Sequence, residues 1–170
     1  LRNVYRPLYL NKSPIVEMSR RAAELTKYAG NAFLATKITF INEIADLCEK
    51  VGANVQEVAR GIGLDNRIGA KFLHAGPGYG GSCFPKDTLA LIKTAQDHGT
   101  PVRIVETVAA VNDTRKRAMA RKIIHAIGGD ARAALLLRPH LLGQRQRLGV
   151  TQQTVSRAVK TSGWREESAA

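Results

Sequence analysis

The residues from 76 to 87, GPGYGGSCFPKD, combine the side chains that a covalent mechanism needs. Cys83 lies directly before a predicted helix N-terminus, and Lys86 follows three residues later. A helix N-terminus and a nearby cation both favour the thiolate, which is the nucleophilic form of cysteine. Asp87 lies one turn further on, where its carboxylate could position or deprotonate a water. The stretch predicts a reactive cysteine with an assisting carboxylate, and the alternative is a free thiol beside a capping aspartate.

The glycines of this stretch predict a loop that approaches a ligand. Gly76, Gly78 and Gly81 match G-x-G-x-x-G by their letters. That dinucleotide-binding motif follows a buried strand and opens a helix, whereas RIGAKFLHA before these glycines is no convincing strand. Because glycine lets the backbone come close to a ligand, we favour a ligand-binding loop. A floppy surface loop is the alternative, although Tyr79 and Phe84 can pack the loop down.

Lys27 and Asn31 are four residues apart, so they share one face of a predicted helix. A lysine and an amide on one face could stabilise an oxyanion, and the alternative is a solvated pair on the helix surface. Cys48 lies in an apolar stretch, where we expect a buried and inert thiol. The two cysteines and four histidines are scattered without metal-ligand spacing, so the sequence predicts no metal site.

The element that must position Lys27 and Asn31 is a long helix, predicted over residues 16–51 and ended by Gly52. Two neighbouring faces of this helix are apolar. One carries Leu34, Ile38, Ile41, Ala45 and Cys48, and the other carries Phe33, Phe40, Ile44, Leu47 and Val51. A helix that is apolar on more than one face is buried on more than one face, so we expect the second face to meet another subunit.

The other predicted elements are also helices, apart from a glycine-rich loop over residues 63–82. The first runs from Asn54, which forms a capping box with Glu57, to about Gly61. The second has Pro85 in its first turn and runs to about His98. The third has Thr100 as its cap and Pro101 in its first turn, and it runs to about Ile127. The predicted fold class is therefore mainly α.

The composition is that of a soluble globular chain of 170 residues, with 44% hydrophobic and 24% charged residues. The net charge of +12 is compatible with a nucleic acid, an anionic membrane surface, a phosphorylated ligand or a solvated basic surface. The aromatic content of 5% is too low for a stacking platform on single-stranded nucleic acid. No apolar run approaches the roughly 20 residues of a membrane span, and two free thiols favour the reducing cytoplasm.

Three segments resemble the central region of the UDP-glucose/GDP-mannose dehydrogenase family: ELTKYAGNAFLATKITFINEIADLCEKVGA, GLDNRIGAKFLHAGPGYGGSCFPKD and VNDTRKRAMARKII. The resemblance covers residues 1 to about 130, and GGSCFPKD is highly specific to the family. It implies an NAD-dependent dehydrogenase that oxidises C6 of a sugar nucleotide with two NAD⁺. The KFLHAGPGYGG context favours UDP-glucose as the substrate and UDP-glucuronate as the product.

The resemblance also implies roles for the residues singled out above. Cys83 matches the catalytic nucleophile, which holds the intermediate as a thiohemiacetal and then as a thioester, and Asp87 matches the carboxylate that assists the water steps. Lys27 and Asn31 match the pair that stabilises oxyanion charge and holds the sugar. The residues that match the loop around the sugar nucleotide are Phe72, Leu73, His74, Ala75, Gly76, Tyr79 and Gly80.

Further matches concern the cofactor and the partner subunit. Lys86 matches a lysine near NAD⁺, next to Cys83, and Arg67 matches an arginine that reaches the ligand of a neighbouring subunit. The long helix matches the core of the family homodimer. The resemblance therefore implies a helical central dimerisation domain with UDP-glucose as ligand and a second copy as partner.

The family pattern divides the chain into a remnant of an N-terminal domain or linker (1–15), the central domain (16–130) and a divergent, irregular basic tail (131–170). No Rossmann unit with the family's main NAD⁺ site precedes Leu1, so we expect an inactive fragment of the parent enzyme. One hypothesis for the tail is a frameshift, since a one-base shift of codons for LRPHLLGQRQR can read CGLTFLANAN. The alternatives to catalysis are a dimerisation module and DNA binding through LGVTQQTVSRAVK, which resembles part of a helix-turn-helix.

Overall fold

The computed structural model describes residues 15–126, and every regular element in this range is an α-helix. We number the helices α1 (Arg20–Val51), α2 (Val55–Gly63), α3 (Cys83–Asp97) and α4 (Arg103–Ala126). The prediction of a mainly α fold built on one long helix is confirmed. The N-terminal remnant, except Ile15, and the basic tail with its helix-turn-helix hypothesis lie outside the described residues.

The long helix α1 ends where the sequence predicts but begins four residues later. Ser19 is its N-cap: the backbone there is extended, with ψ 154°, and its hydroxyl accepts a hydrogen bond from the Ala22 N–H at 3.2 Å. The Ala22 N–H has no carbonyl partner within the helix, and the Ser19 hydroxyl supplies one. The helix therefore begins after Ser19, and Val16 lies outside it. At the other end, Gly52 has a φ of +71° and its N–H donates to the Cys48 carbonyl, as expected for a glycine that ends a helix.

The helix α2 begins after Asn54 as predicted and ends two residues later than predicted, whereas α3 begins and ends one residue earlier than predicted. The side chain of Asn54 caps α2 by accepting from the Gln56 N–H at 2.9 Å. The first residue of α3 is Cys83, and Pro85 is the third. The N–H groups of the first helical turn have no intrahelical partner, so the lack of an N–H at Pro85 costs no hydrogen bond. Cys83 is therefore part of the first helical turn rather than the residue before it.

The predicted start of the last helix is wrong. The helix α4 begins at Arg103, and the Val102 carbonyl accepts the first hydrogen bond, from the Glu106 N–H at 3.1 Å. Thr100 does not cap it, because its hydroxyl donates instead to the His98 carbonyl. Pro101 consequently lies before the helix, not in its first turn.

The core forms where α1 packs against the three other helices, most extensively against α3. Its two clusters of buried side chains are Ala35, Tyr79 and Val108, and Ile41, Ala59 and Leu73. Each cluster contains one side chain of the glycine-rich loop, so the loop is anchored and is not a floppy surface segment. Cys48 is buried and free, as predicted.

One face of α1 carries large apolar side chains that the described chain does not cover. We call Phe33, Phe40, Leu47 and Val51 the apolar stripe; they are 49% to 66% exposed. They follow one another at intervals of seven, seven and four residues, which places them on one side of the helix. Within residues 15–126, no helix has the length and apolarity needed to cross a bilayer.

Candidate active site

The carboxylate of Asp87 joins the two helices that carry the predicted catalytic residues. Its Oδ2 accepts a hydrogen bond from Lys27 Nζ at 2.7 Å and another from Asn31 Nδ2. Asp87 is 5% exposed, whereas the Lys27 side chain is 61% exposed and reaches in from the surface. The structure thus brings together three of the four predicted catalytic side chains, from parts of the sequence about 60 residues apart.

This contact fixes the charges of the pair. The hydrogen bond from Lys27, and then that from Asn31, holds the pKa of Asp87 below its usual range. The hydrogen bond to Asp87 in turn raises the pKa of Lys27. Near neutral pH the site therefore contains a carboxylate and an ammonium, and the carboxylate can accept a proton but has none to give.

Cys83 lies one turn before Asp87, at the N-terminal end of α3. Its thiol is free and exposed, with Ser82 Oγ at 3.8 Å from Sγ. Lys27 lies within electrostatic reach of the cysteine. The fourth predicted catalytic residue is therefore beside the other three and open to a ligand from solvent.

A cleft of about 310 Å³ lies within the glycine-rich loop, and Phe84, the residue after Cys83, lines it. Its lining residues are Ile38, Phe72, His74, Ala75, Gly76, Pro77, Gly78, Tyr79, Gly80 and Phe84. Three aromatic rings form one side of it: the Phe84 ring is 6.2 Å from the Phe72 ring and 6.0 Å from the Tyr79 ring, centroid to centroid. The cleft offers apolar walls and backbone polar groups, a combination common in ligand sites.

The remaining predicted site residues are not in the cleft. The Leu73 side chain is buried against Ile41 and Ala59, so only its backbone could contact a ligand. Arg67 is exposed, and its guanidinium is paired with the Asp65 carboxylate at 2.6 Å. Lys86 is exposed in the first turn of α3.

The sequence reasoning missed the side chains that hold the loop. Asn112 accepts a hydrogen bond from the Tyr79 N–H at 2.8 Å and donates one to the Tyr79 carbonyl at 3.1 Å. Arg115 Nε donates to the Gly76 carbonyl at 2.6 Å, and Asn42 Oδ1 accepts from the Gly76 N–H at 2.7 Å. A signal was available, because an asparagine on the apolar face of a helix needs a specific hydrogen-bond partner.

Lys116 packs over the loop next to Asn112. Its Nζ lies 5.8 Å from the centroid of the Tyr79 ring, a distance at which a cation is attracted to an aromatic face. Burial lowers the pKa of Lys116 and raises the pKa of the Tyr79 phenol. The raised pKa keeps the Tyr79 phenol neutral at neutral pH, so the Lys116 amine lies over an uncharged ring.

Comparison with known proteins gives consistent matches to one family. Residues 21–114 match the model of the UDP-glucose/GDP-mannose dehydrogenase family, central domain. The chain is 81% identical to the UDP-glucose 6-dehydrogenase of Rhizobium meliloti (strain 1021) over 131 residues, which are 77% of this chain and 30% of that protein. It is 49% identical to the enzyme of the same name from Rickettsia felis (strain ATCC VR-1525 / URRWXCal2) over 130 residues, 76% of this chain and 29% of that protein.

A solved structure of similar fold comes from the same comparison. It is a UDP-glucose dehydrogenase from the hyperthermophilic archaeon Pyrobaculum islandicum, with a TM-score of 0.68 at 40% sequence identity. The match covers 75% of this chain and 29% of that one. The chain therefore spans about 30% of the length of the relatives that it matches.

Proposed function

Because the chain belongs to the UDP-glucose/GDP-mannose dehydrogenase family, we propose that it carries the sugar-nucleotide site and the catalytic cysteine of a UDP-glucose 6-dehydrogenase. The proposed reaction is the oxidation of C6 of UDP-glucose to the carboxylate of UDP-glucuronate. The observation that carries the proposal is the convergence of Lys27, Asn31 and Asp87, one helical turn from the exposed thiol of Cys83.

In this proposal Cys83 forms the covalent intermediate. Its thiolate sulfur adds to the C6 aldehyde: a C–S bond forms, the carbonyl π electrons move to oxygen, and that oxygen takes up a proton to give a thiohemiacetal. Loss of the hydride from C6, which the cofactor would accept, and of the proton from the C6 hydroxyl yields the thioester. Water then attacks the thioester carbon, the C–S bond breaks, and sulfur leaves as the thiolate. A free thiol is required at each turnover, which favours the reducing cytoplasm as the compartment.

Lys27, Asn31 and Asp87 serve the oxygen atoms of these steps. The ammonium of Lys27 and the amide of Asn31 are donors that can stabilise the negative oxygen at C6 when the thiolate or water attacks. Asp87 orients both donors through Oδ2 and, as a carboxylate, can accept a proton from the attacking water.

The cleft in the glycine-rich loop is the proposed UDP-glucose site. His74, Ala75, Gly76 and Gly80 would contact the sugar nucleotide, with Tyr79 in the wall between them. Phe72 also lines the cleft, and the proposed contact from Leu73 comes from its backbone. UDP-glucose rather than GDP-mannose is supported by the names of the relatives from Rhizobium meliloti and Rickettsia felis.

NAD⁺ is the cofactor that the family implies, and the described residues offer one edge of a site for it. Cys83 and Lys86 are exposed in the first turn of α3, where the helix N-terminus and the lysine suit the negative diphosphate of a dinucleotide. When bound, NAD⁺ would take up the two electron pairs that separate the alcohol from the carboxylate. Lys86 would hold that anionic group.

We also propose that the chain forms a homodimer through the apolar stripe of α1. Exposed phenylalanine and leucine side chains at intervals of seven residues on one helix are typical of a helix that pairs with a second copy. Arg67, exposed at the end of a turn, could then reach a ligand of the second copy, as the family resemblance implies. A dimer without ligand affinity would instead support a purely structural dimerisation module.

The test is a calorimetric titration of the full 170-residue chain with UDP-glucose, with GDP-mannose as the competing sugar nucleotide. We expect saturable binding of UDP-glucose at least tenfold tighter than that of GDP-mannose. Cys83→Ser should keep this affinity, because it retains the shape of the site and removes only the nucleophile. Lys27→Met should weaken binding, because it removes a donor. A folded chain that binds neither sugar nucleotide would refute the proposal.

A further inference from the structure

The backbone of the glycine-rich loop is held by side chains from two helices instead of by a β-sheet. The N–H and the carbonyl of Tyr79 both pair with the amide of Asn112. The N–H of Gly76 pairs with Asn42, and its carbonyl pairs with Arg115. These four hydrogen bonds satisfy both backbone polar groups of Tyr79 and both of Gly76, in a segment that has no neighbouring strand among residues 15–126.

The helix α4 supplies the larger share of this support. Asn112 and Arg115 are three residues apart, so they project from the same face. Asn112 is 4% exposed, and the Arg115 side chain is 9% exposed. Arg115 is fixed in turn, because its Nη1 donates to the Asn42 carbonyl at 2.9 Å and to Asp46 at 2.6 Å. The supporting side chains are therefore themselves rigidly held.

The loop segment between these tethers packs closely against Asn112 at Gly78. Gly78 has a φ of +127°, and a Cβ atom there would lie 2.8 Å from Asn112 Oδ1. Residues 76–80 form one side of the cleft, and Cys83 follows three residues after them. A change at Asn112 or Arg115 would therefore move the wall of the cleft without removing any group that touches a ligand.

We propose that Asn112 and Arg115 are positioning residues, which set the shape of the loop that binds the sugar nucleotide. The proposal rests on the proposed function for its ligand, UDP-glucose. It differs from a space-filling role in one respect: the two hydrogen bonds to Tyr79 are essential, and the volume of the Asn112 side chain is not.

The experiment compares Asn112→Leu and Asn112→Ala in the full chain, with Asp113→Leu as the control on the exposed side of the same helix. Leucine has the same branching and the same number of side-chain heavy atoms as asparagine and favours the helix, but it makes no hydrogen bond to the loop. The first readout is hydrogen exchange of the Tyr79 amide by NMR, with the Ile41 amide of α1 as an internal reference. The second is the affinity for UDP-glucose by calorimetry.

We expect both Asn112 variants to speed exchange at Tyr79 by roughly 10- to 100-fold, because a buried hydrogen bond is lost. The Ile41 amide should keep its protection, UDP-glucose affinity should fall at least tenfold, and the control should change neither readout. If Asn112→Leu leaves Tyr79 protected, or leaves affinity unchanged while Tyr79 exchanges faster, the proposal is overturned.

A second pair of variants keeps the test valid if Asn112→Leu does not fold. Arg115→Lys keeps the charge but lacks the planar fork that reaches Gly76 and α1 together, and Arg117→Lys is its control on the same helix. We expect at least a fivefold loss of UDP-glucose affinity for Arg115→Lys alone, and equal affinities would overturn the proposal. If the unmodified chain binds no UDP-glucose, the proposed function fails, and exchange at Tyr79 and Gly76 alone decides the positioning role.

Discussion

Replacing Gly78 by alanine should destabilise the chain more than the same replacement at any other glycine that the structure describes. The backbone at Gly78 has a φ of +127°, which residues with a side chain rarely adopt. The added Cβ would lie 2.8 Å from Asn112 Oδ1 and 3.2 Å from Lys116 Cγ. The first contact is with a side chain that is already fixed by two hydrogen bonds to Tyr79, so it cannot give way without losing them.

The size of the effect follows from three contributions. Holding a non-glycine residue in a sparsely populated backbone region costs about 1 to 3 kcal/mol. Displacing the Asn112 amide costs roughly 1 to 2 kcal/mol more, through weakened hydrogen bonds to Tyr79. Alanine restricts the unfolded chain, which offsets about 0.5 to 1 kcal/mol. We therefore expect Gly78→Ala to lower the free energy of unfolding by about 1 to 4.5 kcal/mol.

The assay is urea denaturation followed by far-UV circular dichroism, which reports the helices directly. Gly61→Ala is the matched control, because Gly61 lies in α2 with ordinary helical φ and nothing within 4 Å of the added Cβ. That change should be neutral or should stabilise the chain by up to about 1 kcal/mol. If Gly78→Ala changes the free energy of unfolding by less than about 0.5 kcal/mol, the size of an ordinary surface effect, the reasoning about the loop is refuted.

Three further predictions concern the charge pair, the apolar stripe and the core. Since the folded state lowers the pKa of Asp87, the stabilising contribution of this carboxylate is present at neutral pH and is lost as the pH falls through and below 3.8. The urea midpoint of Asp87→Asn should therefore depend less on acid pH than that of the unmodified chain, and an equal dependence would contradict the pairing. Phe40→Glu should make the chain monomeric in analytical ultracentrifugation, whereas Leu89→Glu, on the exposed side of α3, should not; a dimer that survives Phe40→Glu does not use the stripe. Ile41→Ala should lower the free energy of unfolding by about 2 to 5 kcal/mol, and Leu64→Ala, at an exposed site, by less than about 0.5 kcal/mol; equal losses would place the core elsewhere.

The long helix was predictable because its signals are local. Apolar residues recur at helical spacing up to Cys48, and Gly52 ends the helix with the left-handed backbone that glycine favours. The division into two apolar faces also follows from this spacing: Ile41 is buried, whereas Phe40 is left exposed. The start of the helix after its cap Ser19 was missed because no proline separates Val16 from the helix. The cap depends on the hydroxyl group of a single serine.

The site could be predicted only in part, because its geometry depends on contacts between distant residues. Lys27 and Asn31 were paired by their spacing on one helix, and Cys83 and Asp87 by theirs on another. That Asp87 accepts bonds from both residues of the first pair is a tertiary contact that no local pattern contains. The role of Asn112 was missed for the same reason, since its partner Tyr79 is 33 residues away.

The central place of α1 also has a consequence for the order of events during synthesis. The helix ends at Val51, but Arg115, which ties α1 to the loop and to α4, is made 64 residues later. At about 5 to 20 residues per second, the ribosome takes roughly 3 to 13 s to add this stretch. For that time the part of α1 that Arg115 contacts lacks this partner from its own chain. Apolar surface that waits for its partner during synthesis is prone to aggregation, which is the condition that chaperones counter.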